Sequence, residues 1–512
     1  MIRINIKNNK IIIIIFCTVI FILEAGFGFY LGYIKGIILT DAFSRTANAF
    51  YVIFVKPPRF ASIGLIWNPL PSTLQLPLIA LSKFWRPLAA SGIAANIVTA
   101  IFAAITSGIL LNTFIILKIS NKVSVIVTSL YAFNPFIFFY GCNGMSETIF
   151  FTFLVYIICS LTLWLKKGQS KYIIKIAFTL VGLFFTRYES IPFAAAIGMC
   201  LMIIIWLSKR ERRYYPKGDI LEQYYYAEGS IILLYTPLFY AIFLWIIFNL
   251  VITGNPLYFL NSSYSNVSQS MFSKDFGSLL DILIYAMIRV KPFIILFIGI
   301  IIMRIIQKKL LRADFFIISI LVSSLIAFHC YMLLKGNSFG WLRFFSYSLP
   351  ICIAWIPYEI SVVRKKYKTM AITIFVLCLS LSCVLSFRAL KNPDIAKEEQ
   401  NLTISQETYY IARYINERLP DKKIMMDSFL TNGIILNINN IDNLIVTSSL
   451  NFYKCLDNPV ENKVDYILVP ETKGVGKLDA INQKYSDLYS DGAEWCKEEA
   501  EFEGFKLYKV ID

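Results

Sequence analysis

The chain has 512 residues, 57% of them hydrophobic and only 16% charged, with a mean hydropathy of +0.62 and a net charge of +16. An ordinary domain is about one quarter charged, so soluble globular, disordered, collagenous and disulfide-stapled chains are excluded. The apolar residues run in blocks long enough to cross about 30 Å of hydrocarbon, and the fold class read from them is a polytopic α-helical membrane protein.

The first block runs from Ile11 to about Tyr33, behind Arg3, Lys7 and Lys10. A signal peptide shares that order of features, but its apolar region is shorter and a small-residue cleavage site follows it; an uncleaved span is favoured. Residues 34–91 come next, a segment too long for a passive connection and too apolar for a flexible linker. Within it, 42–55 has helical spacing, with Phe43, Ala47, Phe50 and Phe54 on one side, which predicts an interfacial helix. Trp67, Trp85, Arg59 and Arg86 suit the headgroup level.

Further spans are predicted over 92–117, 123–141, 147–165, 172–188, 190–208, 230–252, 290–306, 314–334, 344–361 and 369–388, about eleven in all. The stretch 272–287 reads either as membrane or as an outer amphipathic helix. Threading the loops alternately puts Lys118/Lys122, Lys166/Lys167/Lys171, Lys209/Arg210/Arg212/Arg213/Lys217, Lys308/Lys309/Arg312 and Arg364/Lys365/Lys366/Lys368 on the side of the N-terminus. The positive-inside rule makes that side cytoplasmic and sends the C-terminal tail outside. The charge is divided accordingly: residues 389–512 carry a net −7 and the remainder +23.

A carboxylate at membrane depth is expensive, so each one needs a reason. Asp41, Glu147, Glu189, Asp275 and Asp281 fall near the outer face. Asp41 follows Thr40 at the start of the expected interfacial helix, where an N-cap is the structural reading. Glu147 opens a span inside Asn143-Gly144-Met145-Ser146-Glu147, Glu189 lies in the tight turn Thr186-Arg187-Tyr188-Glu189, and Arg343 follows Gly340-Trp341-Leu342. Topology thus brings Asp41, Glu147, Glu189, Arg187 and Arg343 to one face. A structural ion-pair network is one account of that; a polar cavity for a lipid-linked anionic substrate is the other. A sugar on a polyprenyl phosphate has a leaving group that is already a stable anion. Such a cavity then needs arginine to hold the phosphate and one carboxylate to deprotonate the acceptor hydroxyl.

The early Asp in a long first outer loop resembles the GT-C class of integral-membrane glycosyltransferases. The stretches that carry the resemblance are Asp41-Ala42-Phe43-Ser44-Arg45-Thr46-Ala47-Asn48-Ala49 and Trp67-Asn68-Pro69-Leu70-Pro71. Asn134-Pro135 with Asn143-Gly144-Met145-Ser146-Glu147 is similar to the Ser-Glu motif of the GPI mannosyltransferase relatives. The resemblance covers residues 1–390 as architecture and a few short patches as motif. It implies an inverting hexosyltransferase that uses a polyprenyl-phosphate sugar, with Asp41 as the catalytic residue. Arg45, Asn143, Glu147, Arg187, Glu189, Trp341 and Arg343 are the candidate substrate-binding residues. Many relatives carry adjacent acids in the first loop, whereas Ala42 follows Asp41, so no obligatory metal is expected. The implied partners are the donor, membrane lipids and an envelope lipid, glycan or protein acceptor, with no nucleic acid; the implied location is the cytoplasmic membrane, multi-pass.

From residue 391 the composition becomes that of a small soluble α/β domain of about 120 residues, placed outside the cell by the topology. Helices are predicted over 405–419 and 478–489, with strands at 423–426, 443–447, 464–469 and 505–510. Asp427 reads as structural, and accessory acceptor recognition or stabilisation fits the domain better than catalysis. Cys455 and Cys496 lie in this tail, and nothing in the sequence decides whether they pair. His329, the only histidine, reads as a packed helix residue. The alternatives are a secondary transporter, whose internal repeats are not seen here, and a cell-envelope polymer ligase or flippase.

Overall fold

A computed structural model describes residues 2–207, 220–270, 276–395 and 404–511. The basic cluster Lys209, Arg210, Arg212, Arg213 and Lys217, together with Asp275 and the side chains of Arg3 and Lys7, lies outside the described residues. The chain divides into two compact units. One comprises Met1–Gly28, Asn96–Pro256 and Asp275–Gln400, the other Phe29–Ala95, Leu257–Lys274 and Asn401–Asp512.

The architecture is polytopic and α-helical. Among the described residues, seven helices are long and apolar enough to cross a membrane: Asn9–Ile34, Ile93–Ile116, Ser146–Lys167, Ile220–Thr253, Leu279–Ile306, Ala313–Leu334 and Lys365–Leu390. The expected span 123–141 is a bent pair, Asn121–Ala132 and Pro135–Cys142, that turns through 68°. Pro135 lacks the N–H needed to continue the first helix, while Asn134 starts the second by accepting from the Phe136 N–H at 3.1 Å. The remaining expected spans are the shorter helices Lys171–Phe184, Ser190–Leu207 and Ser348–Val362. Part of the ambiguous 272–287 stretch is the N-terminal extension of the long helix Leu279–Ile306.

Ser146–Lys167 is the central helix of its unit, with 89% of its most apolar window buried. Lys166 and Lys167 sit in its last turn, where cations complement the helix dipole, and left-handed Gly168 ends it. At its other end Gly144 (φ +78°) makes the reversal out of Pro135–Cys142, a backbone that side-chain-bearing residues rarely adopt.

The second unit is built on five strands: β1 (Ile424–Met426), β2 (Leu444–Val446), β3 (Tyr466–Pro470), β4 (Cys496–Phe502) and β5 (Phe505–Val510). Their order is β2-β1-β3-β5-β4. β2, β1 and β3 are parallel, and β5 and β4 extend the sheet antiparallel. The parallel strands are buried at every position, which is why they read as unbroken apolar runs. β4 escaped sequence reading because its lysine and glutamates lie on an edge strand, where charge guards against further pairing. The helix Ser428–Asn437 was also unforeseen. The helix expected over 478–489 is two short ones, Ala480–Lys484 and Leu488–Asp491.

The segment between the first two candidate spans packs into this unit. The helix Thr40–Phe54 has the expected apolar stripe, but the stripe does not face lipid. Phe43, Ala47 and Phe50 share a core with Ile411, Ile434 and Leu468. Arg86 donates to the Leu436 and Ile438 carbonyls (3.2 and 2.8 Å), and Arg59 to that of Ser448 (2.7 Å). Both guanidiniums, expected at headgroup level, serve protein carbonyls instead. Cys455 and Cys496 are buried free thiols in a second core on the same sheet.

Candidate functional site

The helical unit gathers three of the predicted site residues, Arg187, Glu189 and Arg343, with the buried carboxylate of a fourth, Glu147. Glu147 lies in the first turn of Ser146–Lys167 and is fully buried. Its Oε1 accepts from Arg187 Nη1 at 2.7 Å and pairs with Arg343 Nε at 3.3 Å. Arg187 stands in the turn after Lys171–Phe184. It donates Nε and Nη2 to Glu189 Oε1 (3.1 and 2.8 Å) and Nη1 to the Ser146 hydroxyl as well (3.2 Å). Burial opposes the Arg187 charge, but Glu189, Tyr347 and Glu147 together hold its proton affinity above the ordinary value. Burial likewise lifts the Glu189 carboxyl, and Arg187 overrides it, holding the pKa down at about 2. Glu147 Oε2 is buried without a hydrogen-bond partner in the described structure, an expensive state for a carboxylate oxygen.

Arg343 is placed by the loop before Ser348–Val362. Gly340 (φ +64°) offers its carbonyl to Tyr285 Oη at 3.0 Å and Arg289 Nε at 2.8 Å, tying the loop to Leu279–Ile306. The Arg343 guanidinium lies 4.1 Å from the Trp341 ring centre, so the aromatic face orients the fork. Asn143 Oδ1 accepts from the Met145 N–H at 3.1 Å in the turn that presents Glu147, while its Nδ2 is buried without a hydrogen-bond partner in the described structure.

Two members were missed in the sequence. Tyr347 Oη reaches Glu189 Oε1 at 3.4 Å, and His329 stacks between Phe344 and Tyr347 with ring centres 5.0 and 5.7 Å away. His329 is packed against aromatics, as expected. Both occur in apolar runs, where an aromatic carries no distinguishing signal.

Asp41 and Arg45 belong to the second unit. The helix begins at Thr40 with Leu39 in the N-cap position, so the capping role expected of Asp41 falls away; its carboxylate sits in the first turn. Arg45 is buried, its Nη1 donates to the Asp41 carbonyl at 3.4 Å, and its guanidinium lies 4.8 Å from the Trp67 ring centre. Among the described residues there is no group of three or more His, Cys, Asp or Glu side chains arranged to hold a metal ion.

No protein-family model matches the chain. Nor does any curated protein. Among solved structures it is similar to archaeal oligosaccharyltransferase AglB from Archaeoglobus fulgidus, in complex with an inhibitory peptide and a dolichol-phosphate. That likeness covers 88% of this chain and 69% of the other, at 10% identity and a TM-score of 0.46.

Proposed function

We propose that this protein is an inverting membrane glycosyltransferase that moves a sugar from a polyprenyl-phosphate donor to an envelope lipid, glycan or protein. The observation that carries the reading is the buried Glu147 carboxylate engaging two guanidiniums that come from separate turns. Arg187 commits its donors to Ser146, Glu147 and Glu189 and acts as the keystone. Arg343, oriented on Trp341, is the residue assigned to the donor phosphate. Asp41 takes the role of general base. The acceptor oxygen bonds to the anomeric carbon on the side opposite the phosphate, the carbon–oxygen bond to phosphate breaks, and the acceptor proton passes to Asp41. Polyprenyl phosphate leaves with the bonding electrons. In this reading the N-terminus is cytoplasmic and the second unit extracytoplasmic.

The test uses purified full-length protein with undecaprenyl-phosphate-linked radiolabelled hexoses, and membranes of a deletion strain as acceptor. Label should move to a membrane component as undecaprenyl phosphate appears in equal amount. A panel of hexose donors left unconsumed would overturn the proposal.

A transporter reading has its own observation. Glu24, in the first candidate span, is buried with Oε2 unpartnered, packed on Gly141 at the end of the bent helix pair. A buried intramembrane carboxylate beside a broken helix is a feature of transporters. Movement of the intact donor across proteoliposomes, without bond cleavage, would favour it.

A further inference from the structure

One end of the helical unit carries a concentration of positive charge that outweighs the acids beside it among the described residues. The connection 307–312 joins Leu279–Ile306 to Ala313–Leu334, and 363–367 joins Ser348–Val362 to the last span. The two are tied together. Lys309 Nζ donates to the Val362 carbonyl at 3.0 Å and to Gln307 Oε1 at 3.2 Å, and the Arg364 N–H reaches the same Gln307 oxygen at 3.4 Å. Lys308, Lys309, Arg312, Arg364, Lys365 and Lys366 are thereby held in two neighbouring loops.

Among the described residues, the acids next to these loops are already engaged. Asp314 and Glu359 clasp the buried Arg304 at 2.8 and 2.7 Å, and Asp314 pairs with Arg312 Nε at 3.4 Å besides. Lys309 shows the surplus: burial, and then the guanidiniums of Arg312, Arg304 and Arg364, lower its proton affinity below the ordinary lysine value. Leu311 projects from the middle of this charge with 87% of its surface exposed. Ile305 and Ile306 are exposed on the helix that leads to it, so an apolar surface runs from a membrane-crossing helix up to the basic loop.

We propose that these two loops form a binding site for the phosphate headgroup of an anionic phospholipid, with Leu311 entering the acyl layer beside it. The charge selects an anion, and the arginine forks suit phosphate oxygens. The apolar tip and its continuity with a span select a lipid over a soluble phosphate. The inference is independent of the glycosyltransferase reading.

The test is native mass spectrometry and thermal unfolding of the full chain in detergent, with phosphatidylglycerol or phosphatidylcholine added. Phosphatidylglycerol should be retained preferentially and raise the melting temperature, and millimolar inorganic phosphate should not. In the triple variant Lys308→Gln, Arg364→Gln, Lys365→Gln, retention should weaken roughly tenfold or more, with melting in phosphatidylcholine unchanged. These side chains lie at the surface, and the bond from Arg364 to Gln307 uses its backbone. Leu311→Gln should reduce lipid retention without altering the fold. Equal retention of both lipids by wild type, undiminished retention by the triple variant, or equal stabilisation by inorganic phosphate would each overturn the proposal.

Discussion

Asp41 occupies a first-turn position in a helix whose N-cap position is held by Leu39. Its charge near the helix N-terminus is worth about 0.3–1 kcal/mol. Asn keeps the shape and loses both the charge and the ability to take a proton. Asp41→Asn should melt within about 1 kcal/mol of wild type, while sugar transfer falls about 10²–10⁴-fold. Unchanged turnover would remove Asp41 from the chemistry. Asp479 makes a different residue-scale case. Burial, and then the neighbouring Asp427 carboxylate, raise its pKa well above 3.8, although the Ile481 and Asn482 N–H groups pull the other way. The folded chain keeps this proton after the unfolded chain has lost it. The stabilisation is complete below about pH 3.8 and declines as pH rises toward the folded pKa. Asp479→Asn should raise the melting temperature of the full chain at neutral pH, by a margin that shrinks as the buffer is acidified. The charged members of the helical cluster were legible in the sequence because acids and arginines are scarce in apolar spans. Tyr347, His329 and the Asp427–Asp479 pair were not, since each depends on neighbours brought from distant sequence.

The elements explain how the cluster is held. Gly144 reverses the chain before Ser146–Lys167 and presents Glu147; Gly340 anchors the loop that carries Trp341 and Arg343. A Cβ on Gly340 would meet Tyr285 Cε1 at 2.8 Å, on a backbone that already disfavours a side chain. Gly340→Ala should therefore destabilise by about 1 kcal/mol or more and displace Arg343. In the transfer assay this should raise KM for the donor more than it lowers kcat. A reversed split, with KM unchanged, would remove Arg343 from donor binding. Helical periodicity located most helices, but periodicity does not say what an apolar face packs against. The 42–55 segment has the same stripe whether it meets lipid or protein. Only the fold shows that Phe43 and Phe50 meet Ile411 and Ile434.

For the whole molecule, that packing alters what the C-terminal tail is for. Composition marks residue 391 as the start of a separable soluble domain, yet the segment after the first span and the tail form one compact unit. Phe43 and Phe50 are completely buried in the shared core, and each large apolar side chain so placed contributes about 1.5–3 kcal/mol. Asn432 adds a polar tie, accepting from Tyr51 Oη at 2.7 Å and donating to the Ser44 hydroxyl at 3.1 Å. Ending the chain after Leu390 would strip all of this from the helix that carries Asp41. The truncated protein is expected to aggregate on size exclusion in detergent or to lose the protease resistance of residues 40–54, even with its spans intact. Asn432→Ala tests the polar tie alone. It should lower the melting temperature of the full chain without changing its insertion, as the loss of two half-buried hydrogen bonds requires. A truncation that stayed monodisperse and kept its first loop protected would show that Thr40–Phe54 draws its stability from elsewhere, and would return the tail to the role of an independent accessory domain.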